Sequence, residues 1–260
     1  YSLYMSLSWG ARKQLKFIFF LGFIIGASIL LFLLPTILKP ATCSDQKQNG
    51  DEEGVDCGGS CQRLCADLLV PPVVSWSRSF KVADGIWNSV AYVENKNVGA
   101  YSRSIAYEFK FYGPDGSYIG SRSGTTFLEE NGFTYIFEPT IQTGNQEIER
   151  TIFTFAPNIT WQKSPREETK DNIIIGKREI DFDNNIPLVR ATASNNSLNE
   201  IEDITFVVVL YDEKGSAIHS SETFIQSMGP QAQSEVFFTW LEPFDGDPVR
   251  ADIIPRVLPR

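Results

Sequence analysis

Two periodicities divide the chain. Over Phe17–Leu38 no residue is charged, and 16 of these 22 positions are Phe, Ile or Leu. A helix of that length rises roughly 33 Å at about 1.5 Å per residue, enough for a hydrocarbon core of about 30 Å. Apolar all round, it is expected to cross a bilayer rather than coat a soluble core. Downstream the period falls to two. Ile105, Tyr107, Phe109 and Phe111 alternate with Ala106, Glu108 and Lys110, the mark of a strand with one buried face. Gly113-Pro114-Asp115-Gly116 predicts a turn, and Tyr118-Ile119 begins a return strand. Ninety-nine residues later the pattern recurs. Ile204, Phe206, Val208 and Leu210 alternate, Tyr211 stands where Tyr112 stood, and Asp212-Glu213-Lys214-Gly215 precedes Ala217-Ile218.

The repeat extends beyond the hairpin. Val93-Glu94-Asn95-Lys96-Asn97 corresponds to Ala193-Ser194-Asn195-Asn196-Ser197, one residue out of register, and Tyr135-Ile136-Phe137 to Glu235-Val236-Phe237. A period of about 100 residues, with short strands between turn signals, is that of an immunoglobulin-like sandwich. The expected fold is therefore mainly β: two tandem immunoglobulin-like β-sandwiches behind one transmembrane helix and a small disulfide-rich cap. The boundaries read as a cytoplasmic tail 1–16, a span 17–38, a cap 39–69, sandwiches at 70–157 and 172–260, and a polar linker 158–171. The aromatics Trp76, Trp87, Phe109, Phe111, Phe206, Phe237 and Trp240 are expected to fill the cores. Pro and Gly contents of 14 and 19 exclude collagen-like and low-complexity sequence.

All four cysteines, Cys43, Cys57, Cys61 and Cys65, fall within 23 residues behind the span. An even, clustered set in an exported segment predicts two disulfides, with three pairings open. Cys57-x3-Cys61-x3-Cys65 is also a tolerable zinc spacing, though no paired CxxC is present. The same loop carries Asp45, Asn49, Asp51, Glu52, Glu53 and Asp56. Hard oxygen ligands on a glycine-containing loop suit a weak extracellular calcium site; a solvated acidic loop is the other reading.

Two resemblances rest on these residues. Cys43, Asp45, Asn49, Gly50, Glu52, Gly54, Asp56, Cys57, Gly58, Gly59 and Cys61 form C-x-D-x-x-x-N-G-x-E-x-G-x-D-C-G-G-x-C, which resembles a short Cys-rich module of exported surface proteins. That resemblance implies a secreted spacer or cap. Val208-Val209-Leu210-Tyr211-Asp212 is similar to the motif of the FxLYD domain, with Val for Phe. Phe109-Lys110-Phe111-Tyr112-Gly113 is similar too, with Phe for Leu and Gly for Asp. The FxLYD resemblance implies a bacterial extracytoplasmic β-sandwich, and the whole layout resembles uncharacterised membrane-anchored bacterial proteins. Neither resemblance implies catalytic residues.

Charge sets topology and narrows function. Residues 1–38 carry Arg12, Lys13 and Lys16 and no acid, leaving 20 basic against 32 acidic residues in the remainder. The positive-inside bias puts the N-terminus in the cytoplasm and residues 39–260 outside. Leu38-Lys39-Pro40-Ala41-Thr42-Cys43 is a poor cleavage site and a poor lipoprotein box, so an uncleaved anchor is expected ahead of a cleaved signal peptide. Met5 is a candidate initiator. So acidic a body argues against nucleic acid as a partner. The single His219 leaves Ser-His-Asp and Cys-His schemes without support. Gly120-Ser121-Arg122-Ser123-Gly124 has Arg where a nucleophile elbow has Ser. Asp181 and Asp183 alternate with Ile180 and Phe182, as on the outer face of a strand. The expected function is non-enzymatic. Tandem domains are displayed to an envelope or surface protein for interaction, adhesion or assembly, with the bilayer held through residues 17–38. The alternative is a saccharide- or calcium-dependent binding module; no other cofactor is expected.

Overall fold

A computed structural model describes residues 9–37, 40–165, 170–183, 186–244 and 246–258. Helix α1 runs Trp9–Ile37. Within it Arg12–Leu34 is long and apolar enough to cross a membrane, and none of it is buried in the protein. By length and composition alone a signal sequence meets the same test. Leu38 lies outside the described residues.

The rest is antiparallel β structure. In the first sandwich β1 (Val73–Ala83), β2 (Ile86–Asn95) and β5 (Gly132–Gln142) form one sheet in the order β1-β2-β5. The facing sheet has β3 (Ala100–Tyr112), β4 (Tyr118–Leu128) and β6 (Arg150–Phe155) in the order β4-β3-β6. The two-residue β7 (Gln162–Lys163) pairs with the start of β3. Trp87, Ala91, Val93, Phe109, Phe111, Ile136 and Phe153 close between the sheets. The second sandwich repeats this plan with β8 (Ile173–Asp183), β9 (Ile186–Asn195), β10 (Ile201–Tyr211), β11 (Ala217–Met228), β12 (Gln233–Thr239) and β13 (Arg250–Arg256), in sheets β12-β9-β8 and β11-β10-β13. Its core holds Val189, Phe206, Val208, Leu210, Phe238 and Trp240.

The internal repeat is a structural one. Ala91 pairs with Ile136 as Ala191 pairs with Val236. Gly113 N–H donates to Ser117 O at 2.9 Å, and Asp212 N–H to Ser216 O at 3.0 Å, closing equivalent turns. The displaced asparagine match has a cause in buried polar groups. Asn95 and Asn195 are both 1% exposed. Asn95 Nδ2 donates to Ala100 O and Glu129 O, and Asn195 Nδ2 to the carbonyls of Asn199, Met228 and Gly229. Each ties its β-turn to the turn across the sandwich, because a buried amide must find partners for both its donor and its acceptor.

The sandwiches also pack on each other. The outer face of β1-β2-β5 presents Phe80, Val90 and Tyr135 to Val207, Val209, Tyr211 and Ala217 of the β11-β10-β13 sheet. Val90, Val207 and Val209 are 0% exposed. Strand β10 is thus buried on both faces: Phe206, Val208 and Leu210 point into their own core, and Val207 and Val209 into the first sandwich.

Two expectations need correction. Phe237 is 45% exposed; Val236 and Phe238 take the inward positions, since a shift of one residue exchanges the faces of a strand. Trp161, placed in the linker for its polar company, is 3% exposed in the first core, and Ser164 N–H donates to Gly99 O at 2.9 Å. Residues 161–164 therefore belong to the first sandwich, and residues 166–169 lie outside the described ones.

Candidate functional site

The cap is a short loop with hardly any core of its own, held by covalent links and turn geometry. Cys43 bonds Cys61 and Cys57 bonds Cys65, with Cα–Cα distances of 5.6 and 5.1 Å. All four sulfurs are spent, so none is a thiolate ligand for zinc. Gly59 is required where the chain doubles back: its φ is +55°, and a Cβ there would sit 1.9 Å from Asp51 O.

The acidic residues work inside this loop. Asp45 Oδ2 accepts from Asn49 Nδ2 at 2.8 Å, and Asp51 Oδ1 from Ser60 Oγ at 2.8 Å. Those bonds hold both carboxyls below their ordinary values. Glu52 Oε2 accepts from the backbone of Asn49 and Asp56, and Asp56 accepts from Gln46 N–H at 3.0 Å. Glu53 is exposed. The expected calcium ligands Asp45, Asn49, Asp51, Glu52 and Asp56 thus share one loop but bond to different parts of it. Among the described residues, the metal-capable groups gathered within 4.8 Å are Cys43, Glu52 and Cys61, and two of those are joined in a disulfide.

The cap is built into the first sandwich. Leu64 and Leu69 pack on its core. Leu64 N–H donates to Trp161 O, Lys163 N–H to Gln62 O, and Lys163 Nζ to Gly59 O. Val70 and Asn97 exchange two bonds, Val70 N–H to Asn97 Oδ1 at 2.9 Å and Asn97 Nδ2 to Val70 O at 2.8 Å. Five residues separate Ile37, the last of α1, from Cys43.

At the junction of the sandwiches Tyr135 and Tyr211 share a hydroxyl–hydroxyl bond of 2.9 Å. Burial pushes both phenols up from their ordinary value. Arg78 donates to Ala217 O at 3.2 Å. Arg256, from the end of β13, donates to Thr126 Oγ1 and Phe127 O and stands 3.9 Å from the Glu129 carboxylate. Arg256 is 8% and Glu129 5% exposed, so each charge depends on the other. Sequence reasoning missed this junction. Its one signal was the run Val207-Val208-Val209-Leu210, which is too apolar for a strand with a wet face.

The remaining candidates are scattered. His219 is half-buried and stacks on Phe244 at 4.1 Å, in a cleft of about 230 Å³ shared with Phe80, Lys81 and Glu242. Asp181 pairs with Arg190 at 2.9 Å on the second sandwich. Arg122 pairs with Glu138 at 2.8 Å, and Glu138 accepts from Tyr107 Oη at 2.5 Å. These three groups lie on separate strands with separate partners.

No family model matches the chain. No curated protein sequence matches it significantly. Among solved structures it is similar to red sea bream transglutaminase, with 8% identity over 70% of this chain and 31% of that one, at a TM-score of 0.21. It is also similar to Amycolatopsis orientalis exo-chitosanase, with 12% identity over 67% and 26%, at 0.21. A putative β-galactosidase from Bacteroides fragilis gives 11% over 68% and 33%, at 0.19. The chain thus spans about a third or less of the length of each, and likeness at this level carries no functional argument.

Proposed function

We propose that this chain is a membrane-anchored, extracytoplasmic, non-enzymatic protein that presents two immunoglobulin-like domains to an envelope or surface protein. In this reading α1 is an uncleaved anchor, with Arg12, Lys13 and Lys16 on the cytoplasmic side. The Cys-rich and FxLYD resemblances support the same placement. The observation that carries the reading is continuous coupling from the cap to the second sandwich. The cap bonds into β7 and Leu64 into the first core, and that sandwich buries Phe80, Val90 and Tyr135 against the second. A contact surface held this way loses little orientational freedom on meeting a partner, which favours association.

The test is crosslinking in intact cells, followed by pulldown through a C-terminal tag and mass spectrometry. One dominant envelope protein attached at a defined domain face is the expected result. Saccharide binding by the purified protein on a glycan array, with no protein crosslinked, would replace this reading by the ligand-binding one. Topology has its own check: Cys43, Cys57, Cys61 and Cys65 should resist thiol labelling of intact cells until a reductant is added.

A further inference from the structure

We infer that charged side chains on the two outermost sheets bar this chain from stacking on further copies of itself. The inference goes beyond the proposed function and stands or falls without it. Among the described residues the sheets form one stack, in the order β4-β3-β6, β1-β2-β5, β11-β10-β13 and β12-β9-β8. The two inner sheets make the junction between the sandwiches. That junction is heterologous, because the two sandwiches contribute different faces of one repeated unit. Each unit therefore keeps one unused junction face. The first sandwich turns the outer face of β4-β3-β6 outward, and the second turns outward that of β12-β9-β8. By backbone topology alone, a further unit could add at either end through the contact already present inside the chain, giving an open series.

Strand register identifies the equivalent positions. Tyr112 pairs with Arg150 as Tyr211 pairs with Arg250, and the guanidinium groups lie over the rings at 4.6 and 4.2 Å. Counting back along β3 and β10, Lys110 stands for Val209 and Glu108 for Val207. In the other sheet, Val90 pairs with Phe137 and Tyr92 with Tyr135, as Arg190 pairs with Phe237 and Thr192 with Glu235. Phe80 pairs with Asn88 as Asp181 pairs with Leu188. Seven apolar or aromatic residues are buried at the junction. Five of them, Phe80, Val90, Tyr135, Val207 and Val209, are matched on the outer faces by Asp181, Arg190, Glu235, Glu108 and Lys110. All five replacements are charged.

Apolar surface is not what these faces lack. Tyr118 is 57%, Phe237 45% and Ile152 37% exposed on them. The charges make the difference. Glu108 lies 3.2 Å from Lys110, and Asp181 2.9 Å from Arg190, so each of these pairs is closed within its own face. Partly exposed pairs of this kind are screened by water and contribute little stability. A copy docked in the junction geometry would strip that water, since Val90, Val207 and Val209 at the real junction are 0% exposed. Burying such charges costs desolvation that new pairing does not return, and among these five there are three acids against two bases. Terminal units of repeat arrays are kept soluble in the same way, by a polar outer face.

The test gives each outer face the side chains of the junction, in the full-length, detergent-solubilised protein. One variant carries Glu108→Val and Lys110→Val; the other carries Asp181→Phe, Arg190→Val and Glu235→Tyr. All introduce residues that strands favour. Alone, each variant should sediment and melt as the wild type does. Mixed in equal amounts they should form a one-to-one pair of twice the mass, because each offers the face that the other lacks. All five substitutions in one chain should give a series of higher multiples. A photocrosslinking phenylalanine derivative in place of Tyr112 of the first variant should attach to Gln233–Thr239 of the second, as Tyr211 meets Tyr135 within the chain. Should either set melt early, Glu108→Gln with Lys110→Gln and Asp181→Asn with Arg190→Gln and Glu235→Gln remove the charge at similar size. Their mixture should then crosslink at least about fivefold more than wild type, and an unchanged yield overturns the inference. A mixture of the first two variants that stays at the mass of its components also overturns it, and so does self-association of either one alone. Crosslinking from Tyr112 to β12 between otherwise wild-type copies would show that the charges attract, which overturns it too.

Discussion

The packing of the two sandwiches turns on side chains that serve nothing else, so it can be broken without breaking either domain. Val207 and Val209 are 0% exposed and contact the first sandwich, whereas Phe206, Val208 and Leu210 hold the second core from the opposite face of the same strand. Val207→Thr with Val209→Thr keeps shape and strand preference but places two hydroxyls in an apolar contact. Each unpartnered hydroxyl costs about 1–3 kcal/mol. Taking about 1.5 kcal/mol each, the docked arrangement weakens by about 3 kcal/mol, a shift of roughly 150-fold toward separated domains. The assay combines small-angle X-ray scattering of the detergent-solubilised protein with calorimetry. Separation should raise the radius of gyration and split one melting transition into two. Val208→Thr is the control. Its hydroxyl enters the second core, so it should lower that domain's melting temperature with the junction still closed. The reasoning is refuted if the double Thr variant keeps the native radius and single transition, or if Val208→Thr separates the domains as well.

Four further outcomes are expected. Asn195→Ala removes three donated bonds to the carbonyls of Asn199, Met228 and Gly229, and two accepted from Ser197. It should destabilise the second sandwich by about 2–4 kcal/mol in urea unfolding, with Asn95→Ala doing the same to the first. Replacing both Cys57 and Cys65 by Ser opens the bridge next to Leu64 and Leu69. About 2–4 kcal/mol of cap stability should be lost, read as faster proteolysis within residues 40–70 while residues 73–155 stay protected. On pH, Tyr135 and Tyr211 are raised from 10.0, so the fold favours their protonated forms. Their contribution is complete below about pH 10 and is lost as pH rises through the folded values. Phenolate absorbance should therefore appear together with domain separation in alkali. Asp45 and Asp51 are lowered from 3.8, so the cap should hold above that pH and weaken as pH falls below it.

Much of this protein was legible in its sequence because the relevant physics is local and periodic. An uncharged run of 22 residues gives α1 nearly its full apolar length, and alternation from Ile105 to Phe111 and from Ile204 to Leu210 marks two strands whose cores are those residues. The repeat could be read down to Asn95 and Asn195, since a buried amide at a turn leaves its own imprint. The cysteine cluster announced two bridges. Pairing was another matter: three pairings satisfy the count, and only the folded loop brings Cys43 to Cys61 and Cys57 to Cys65.

What tertiary structure alone decided concerns which face meets which. Alternation says that one face of a strand is buried, not whether the other is wet, so the stacking of β1-β2-β5 on β11-β10-β13 was out of reach. Phe237 and Trp161 were misplaced for the same reason, because burial depends on register and on what lies opposite. The acidic loop shows the limit for sites. Asp45, Asp51, Glu52 and Asp56 have the composition of a metal site, yet their oxygens bond to Asn49, Ser60 and loop amides. Composition fixes which groups are available; only the fold sets where their lone pairs point.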